Sequence, residues 1–181
     1  MARRPRVEYP GALYHVICRG NNGEDILSQE KDKIEYIEIL KKYKIRYGFN
    51  LYAYCIMDNH VHLLVETGVI PLSKIMQGIQ QSFTQRYNKR YQRTGHVFQQ
   101  RYKAKLCDME NYLLQLIKYI HHNPIKARIS GLSYNWSSHY NYAKGLGNSL
   151  VDVESILNLL SEDRNRAIKL YRSLWNFRRM N

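Results

Sequence analysis

The order of periodic segments predicts an α+β fold, an antiparallel sheet backed by helices. Three observations carry it. Strand-like alternation runs through residues 12–19, 49–57 and 60–66. Apolar residues recur at helical spacing over 30–47 and 72–91. Only Asp58 and Asn59, both good turn formers, separate the second and third strand segments, which is the length of a hairpin connection.

In order, the first strand spans about 12–19, and Arg19-Gly20-Asn21-Asn22-Gly23 then reads as a loop. Ile34, Ile37, Leu40, Tyr43 and Tyr47 place a first helix over 30–47, ending near Gly48. Strands two and three follow as a hairpin. Ile75, Met76, Ile79 and Phe83 form the buried stripe of a second helix over 72–91. Residues 96–107 read as a short extended segment and a fourth strand. Asp108 can cap a third helix that Pro124 is expected to stop at Asn123. Strand, helix, strand, strand, helix, strand is the split βαβ order of ferredoxin-like domains, two helices covering one face of the sheet. Residues 124–149 read as an aromatic-rich loop. Two short helices from residue 150 read as a C-terminal helical appendage, so the expected division is 1–149 and 150–181.

The 181 residues, 44% hydrophobic, suffice for one core. A net charge of +13 favours a polyanionic partner, with nucleic acid ahead of a membrane surface. No apolar run approaches the roughly 20 residues needed to cross a bilayer, and no apolar stretch follows Arg3-Arg4 as an export signal requires. Three widely spaced cysteines, Cys18, Cys55 and Cys107, read as buried thiols, not as a disulfide framework. A cytoplasmic protein fits these features.

The basic charge is concentrated. Between Glu66 and Asp108 there is no acidic residue, while Lys74, Arg86, Lys89, Arg90, Arg93, Arg101, Lys103 and Lys105 alternate with Tyr87, Tyr91, Phe98 and Tyr102. Basic side chains neutralise phosphates and aromatic rings stack on unpaired bases. Arg3, Arg4 and Arg6 could form a groove-gripping arm.

Asn59-His60-Val61-His62-Leu63-Leu64-Val65 is the densest chemical signal. On a strand His60, His62 and Leu64 share one face, and Val61, Leu63 and Val65 the other. Two imidazoles at that spacing can bind one metal ion or grip one phosphate. On the third helix Tyr112, Tyr119 and Asn123 fall on the flank of the Leu113, Ile117 and Ile120 stripe, with Tyr119 and Asn123 one turn apart. Among 16 tyrosines, spacing alone makes Tyr119 only one candidate nucleophile. A structural zinc site from His121 or His122 with Cys55 or Cys107 has no supporting ligand spacing. A phosphate-binding Gly-rich Lys-Ser/Thr loop is missing, so ATP-driven chemistry is not indicated.

Taken together, several motifs resemble the REP-associated tyrosine transposases, within the single-tyrosine HUH transposases of insertion sequences. They are Tyr14-His15-Val16 with Arg19-Gly20-Asn21-Asn22, Tyr54-Cys55-Ile56-Met57-Asp58-Asn59-His60-Val61-His62-Leu63-Leu64, Gly95-His96-Val97-Phe98-Gln99-Gln100-Arg101-Tyr102-Lys103, Lys118-Tyr119-Ile120-His121-His122-Asn123-Pro124 and Trp136-Ser137-Ser138. The one departure is Asp58, where the family commonly has Pro. The resemblance implies a ferredoxin-like catalytic domain with His60 and His62 as metal ligands, Asn123 as a third ligand and Tyr119 as the nucleophile. It also implies a divalent cation, Mg²⁺ or Mn²⁺, and a hairpin-bearing single-stranded DNA substrate cut and rejoined through a 5′-phosphotyrosine. DNA contacts are then expected from Arg3, Arg4, Arg6, Arg19, Arg86, Arg90, Arg101, Lys103 and Lys105. Either a monomer or a homodimer is compatible with the family. The alternative from another class is a non-catalytic module that binds single-stranded DNA or RNA.

Overall fold

The computed structural model describes residues 7–147 and 149–175. Four strands, β1 (Leu13–Arg19), β2 (Asn50–Ile56), β3 (His60–Glu66) and β4 (Lys103–Cys107), form one antiparallel sheet in the order β2-β3-β1-β4. Helices α1 (Glu30–Tyr47) and α2 (Leu72–Arg90) lie between strands, as the split βαβ order requires. The predicted fold class is the one observed.

The pleat sorts side chains by register. Val16 pairs with Leu63 and Cys18 with Val61, and all four are essentially fully buried. They face α1 and α2, where the Cys18 thiol meets the Tyr36 hydroxyl and the rings of Tyr36 and Phe83 pack edge to face at 5.3 Å. The helices approach closely because α2 carries glycine at its contact with α1. A Cβ on Gly78 would lie 2.3 Å from Cε1 of Tyr43. Gly48, at φ 62°, ends α1 in the left-handed conformation that glycine adopts without strain.

The other face carries His15, Ile17 and Arg19 from β1, His60 and His62 from β3, and Lys103 and Lys105 from β4. Helix α3 (Met109–Lys126) packs over part of it, burying Leu113, Ile117 and Ile120. Pro124 does not stop this helix at Asn123. Proline removes the N–H that would bond the Ile120 carbonyl, but the Asn123 side chain replaces it, Nδ2 donating to that oxygen at 3.1 Å. The helix therefore runs to Lys126, with Arg128 at φ 56° just beyond.

Further departures follow from long-range pairing that local pattern does not encode. Residues 96–102 are mostly irregular, with an isolated bridge from Phe98 to Gly20, and β4 occupies only the last part of the 96–107 stretch. Cys18 and Cys55 are buried as expected, but Cys107 is only partly so. Within 124–149, α4 (His139–Lys144) forms, and residues 136–138 line the outer edge of β2. The Ile56 N–H donates to the Trp136 carbonyl at 2.8 Å and the Ser138 N–H to the Tyr54 carbonyl at 3.1 Å. An otherwise open sheet edge is thereby covered.

The last two helices, α5 (Val153–Leu160) and α6 (Arg164–Ser173), share the core of the sheet domain. Asp152 accepts from the Leu51 N–H at 2.7 Å and pairs with Lys44 at 2.7 Å. Tyr171 stacks on Tyr142 at 5.0 Å, and its hydroxyl lies 2.8 Å from Nδ1 of both His121 and His139. His121 Nε2 completes the network with Ser138 Oγ at 2.6 Å. Among the described residues no helix is long and apolar enough to cross a membrane.

Candidate active site

A pocket of about 460 Å³ opens on the α3 side of the sheet, lined by Ile17, Arg19, His60, His62, Gln99, Gln100, Arg101, Lys103, Tyr119 and Asn123, with Asn59 at its rim. Strand β3 supplies the histidines, β1 and β4 the flanking cations, and α3 the tyrosine and amide. The ring centroids of His60 and His62 are 5.0 Å apart. The Tyr119 ring stands edge-on to His62 at 6.0 Å and to His15 at 5.6 Å, within the same chain. The ring is 40% exposed, so the pocket leaves it reachable from outside.

Each imidazole is held through one nitrogen, which defines what the other can do. His60 Nδ1 lies 2.6 Å from Asn59 Oδ1, an atom that only accepts, so Nδ1 carries the proton and Nε2 keeps its lone pair. Asn59 is itself turned by donating Nδ2 to the Gly23 carbonyl at 3.4 Å. His62 Nδ1 lies 3.0 Å from His15 Nε2, with the two rings stacked at 5.2 Å. With Nδ1 donating, His62 also presents a free Nε2.

Burial keeps these rings neutral. Desolvation, with smaller repulsion from His60, His15 and Lys126, lowers His62 to about 3. Desolvation and then Arg19 lower His60, and desolvation and then Lys105 lower His15. Neutral imidazole is the form that ligates a metal. The Asn123 carboxamide spends Nδ2 on the carbonyls of Tyr119 at 2.9 Å and Ile120 at 3.1 Å. Its acceptor, Oδ1, is left for the pocket that the residue lines. Two imidazole nitrogens and an amide oxygen are a donor set suited to Mn²⁺, and acceptable to Mg²⁺ where phosphate oxygens complete the shell. Among the described residues no group of three or more His, Cys, Asp or Glu side chains could hold a metal, so no rival zinc site from Cys55, Cys107, His121 or His122 is formed. His121 is instead fully engaged with Tyr171 and Ser138.

The expected DNA contacts divide. Arg19, Arg101 and Lys103 surround the pocket, and Lys105 stands beside His15 on β4. Arg86 and Arg90 do not join them. Arg86 pairs with Glu35 at 3.1 Å, and Arg90 with Glu35 at 2.6 Å and with Asp32, so carboxylates of α1 neutralise both. A sequence stretch without acidic residues thus acquires its counter-charges from another element. Arg3, Arg4 and Arg6 lie outside the described residues.

Three neighbours of the site were not singled out by sequence reasoning. His15 sits opposite Leu64, two pairs along from Ile17 and His62 and on the same face, and only strand pairing brings it to His62. Lys126 reaches back so that Nζ lies 4.5 Å from the Tyr119 ring centre. Its seven-residue spacing from Tyr119 was the available signal. Asp58 forms an ion pair at 2.6 Å with the nearly buried Lys33, tying α1 to the turn that launches His60.

A family model described as "Transposase IS200 like" matches residues 9–123. No protein with curated function matches the chain. Among solved structures, the chain is similar to a REP-associated tyrosine transposase bound to a REP hairpin, with a TM-score of 0.68 and 19% identity over 84% of this chain and 93% of that one. It is also similar to a candidate transposase from Deinococcus radiodurans R1, with a TM-score of 0.46 and 19% identity over 67% of this chain and 95% of that one. A match over 84% of this chain needs more residues than 1–123 supply, so the first likeness extends the shared fold beyond the end of the family match.

Proposed function

The chain belongs to the IS200-like transposase family, and from that premise we propose that it cuts and rejoins single-stranded DNA beside a hairpin, using Tyr119 as the nucleophile. One observation carries the reading. Tyr119 lines the same pocket as two neutral histidines on the sheet, with Arg19, Arg101 and Lys103 on the walls. The structural neighbour's hairpin partner supports the choice of substrate.

Arg19, Arg101 and Lys103 draw in and orient the phosphodiester. When bound by His60, His62 and Asn123, a divalent cation, Mg²⁺ or Mn²⁺, supplies Lewis-acid polarisation of the scissile phosphate. Tyr119 Oη attacks phosphorus in line. The Oη–P bond forms, the P–O3′ bond breaks, and the departing O3′ takes up a proton. The products are a 5′-phosphotyrosine and a free 3′-OH. Because one phosphodiester is exchanged for another, a different 3′-OH can reverse the reaction without ATP, which is what strand transfer needs. Lys126 Nζ packs 4.5 Å from the centre of the Tyr119 ring and helps to hold that ring at the pocket by a cation–π contact. In this reading residues 1–149 form the catalytic domain, and residues from 150 onward brace α3 through Tyr171.

The test is incubation of the full chain with an end-labelled, hairpin-bearing single strand and Mn²⁺ or Mg²⁺, followed by denaturation. A labelled protein–DNA adduct that disappears in Tyr119→Phe supports the proposal. Cleavage that persists in Tyr119→Phe indicates a hydrolase using water, and binding with neither cleavage nor adduct indicates a passive single-strand binder; either outcome rejects it.

A further inference from the structure

We propose that a glutamine-lined groove on α2, adjoining the catalytic pocket, reads the bases of the single-stranded DNA that flanks the cleaved phosphate. This deepens the proposed function and rests on DNA being the partner.

The groove is made of two further cavities. One, about 510 Å³, is lined by Gln80, Gln81, Thr84 and Gln85 of α2 and by His96–Arg101. The other, about 650 Å³, is lined by Ser73, Lys74, Gln77 and Gln80 together with Arg101 and Tyr102. The first shares Gln99, Gln100 and Arg101 with the catalytic pocket, and the two share Gln80 and Arg101 with each other. The three adjoin around the 96–102 segment and share its side chains as walls.

Its chemistry differs from that of the catalytic pocket. Six of the chain's nine glutamines line the combined depression, namely Gln77, Gln80, Gln81, Gln85, Gln99 and Gln100. Gln77, Gln81 and Gln85 recur at four-residue spacing, so successive turns of α2 present them along one line. The Nε2 of Gln80 is buried and has no hydrogen-bond partner among the described residues. Two basic residues of the same helix, Arg86 and Arg90, are paired with α1, and Lys74 lines the far end of the groove.

A groove meant only to hold phosphates would be lined with lysine and arginine. Carboxamides present a donor and an acceptor side by side, which matches base edges, adenine above all, and gives little to a phosphate. The division of labour is therefore positional. Arg19, Arg101 and Lys103 hold the backbone at the cut, and the α2 glutamines discriminate bases a few nucleotides away.

The test is a binding selection with the full chain in EDTA, so that no cleavage enters the readout. The probe is a DNA hairpin carrying a 12-nucleotide single-stranded tail of random sequence, and bound DNA is sequenced. Gln81 and Gln85 are exposed helical positions where alanine is well tolerated, so Gln81→Ala/Gln85→Ala should remain folded, which circular dichroism checks. The wild type should enrich defined bases at one or more tail positions. The double variant should lose that enrichment by roughly tenfold per lost contact, with an unchanged dependence of affinity on salt. Arg101→Ala should instead weaken binding to all sequences and reduce the salt slope by about one. The proposal is overturned if the wild type enriches nothing, if the double variant keeps the enrichment, or if it lowers the salt slope as Arg101→Ala does. Because binding is scored without cleavage, this outcome is independent of whether Tyr119 forms the adduct.

Discussion

His15 Nε2 lies 3.0 Å from His62 Nδ1, and this contact, made across two paired strands, decides which nitrogen His62 offers to the pocket. Outer hydrogen bonds of this kind fix the tautomer and ring angle of a ligating histidine. His60 is held in the same way by Asn59. The site thus has two histidines lining the pocket and two residues behind them that hold the rings.

The first prediction follows from that contact. His15→Phe keeps a ring stacked on His62 but removes the nitrogen. Mn²⁺ affinity, measured by calorimetry on the DNA-free protein, should fall roughly ten- to 100-fold, while far-ultraviolet circular dichroism stays native. An unchanged affinity would mean that His62 needs no partner to orient it.

Much of this was legible before any coordinates. The His60 and His62 alternation, the two-residue turn and the buried stripes of α2 and α3 each depend on local period, and each appears where the period puts it, whereas α1 is turned from its expected stripe, with Ile34 exposed and Tyr36 and Ile39 buried. His15 was not legible as part of the site, because nothing in Tyr14-His15-Val16 says which strand it will face. The neutralisation of Arg86 and Arg90 was equally hidden, since Asp32 and Glu35 are more than fifty residues away in sequence. The continuation of α3 through Pro124 was misjudged because the rule that proline ends a helix assumes that no side chain replaces the lost N–H.

A second prediction concerns the C-terminal helices. The Tyr171 hydroxyl is the shared partner of His121 Nδ1 and His139 Nδ1, both at 2.8 Å in a buried setting. Tyr171→Phe leaves two buried ring nitrogens without that partner. Unfolding in urea should show a loss of about 2 kcal/mol with an unchanged denaturant slope. A loss near zero would mean that the hydroxyl is dispensable and that α6 is held by ring packing alone.

The third prediction is a pH dependence from the same network. Desolvation, then His139, depresses His121 well below its ordinary range, and desolvation lowers His139 to about 4. In the unfolded chain both titrate near 6.5, so between that value and the folded pKa the unfolded state binds more protons. Stability therefore rises with pH across this window and is lost on acidification. The loss is about 1.4 kcal/mol per pH unit for each histidine at most. Urea midpoints at pH 7, 6 and 5 should fall in that order, and His139→Gln should flatten the trend. Midpoints that rise on acidification would contradict the assignment of neutral, buried rings.

The last prediction tests whether Pro124 serves the site. The Ile120 carbonyl accepts from Asn123 Nδ2 because Pro124 has no N–H to give, and that bond turns the carboxamide. Pro124→Ala restores a backbone donor to the same carbonyl. The helix keeps its hydrogen bond either way, and the lost stiffness of proline in the unfolded chain opposes the gain, so stability should change by less than about 1 kcal/mol. Asn123 is then released from one of its two anchors and samples other rotamers. Mn²⁺ affinity should fall by roughly threefold to tenfold, and Asn123→Ala should lower it further. If Pro124→Ala left affinity intact while Asn123→Ala reduced it, the Tyr119 carbonyl alone would suffice to orient the amide. If neither variant altered affinity, Asn123 would not be a ligand, and the donor set would be limited to the two histidines.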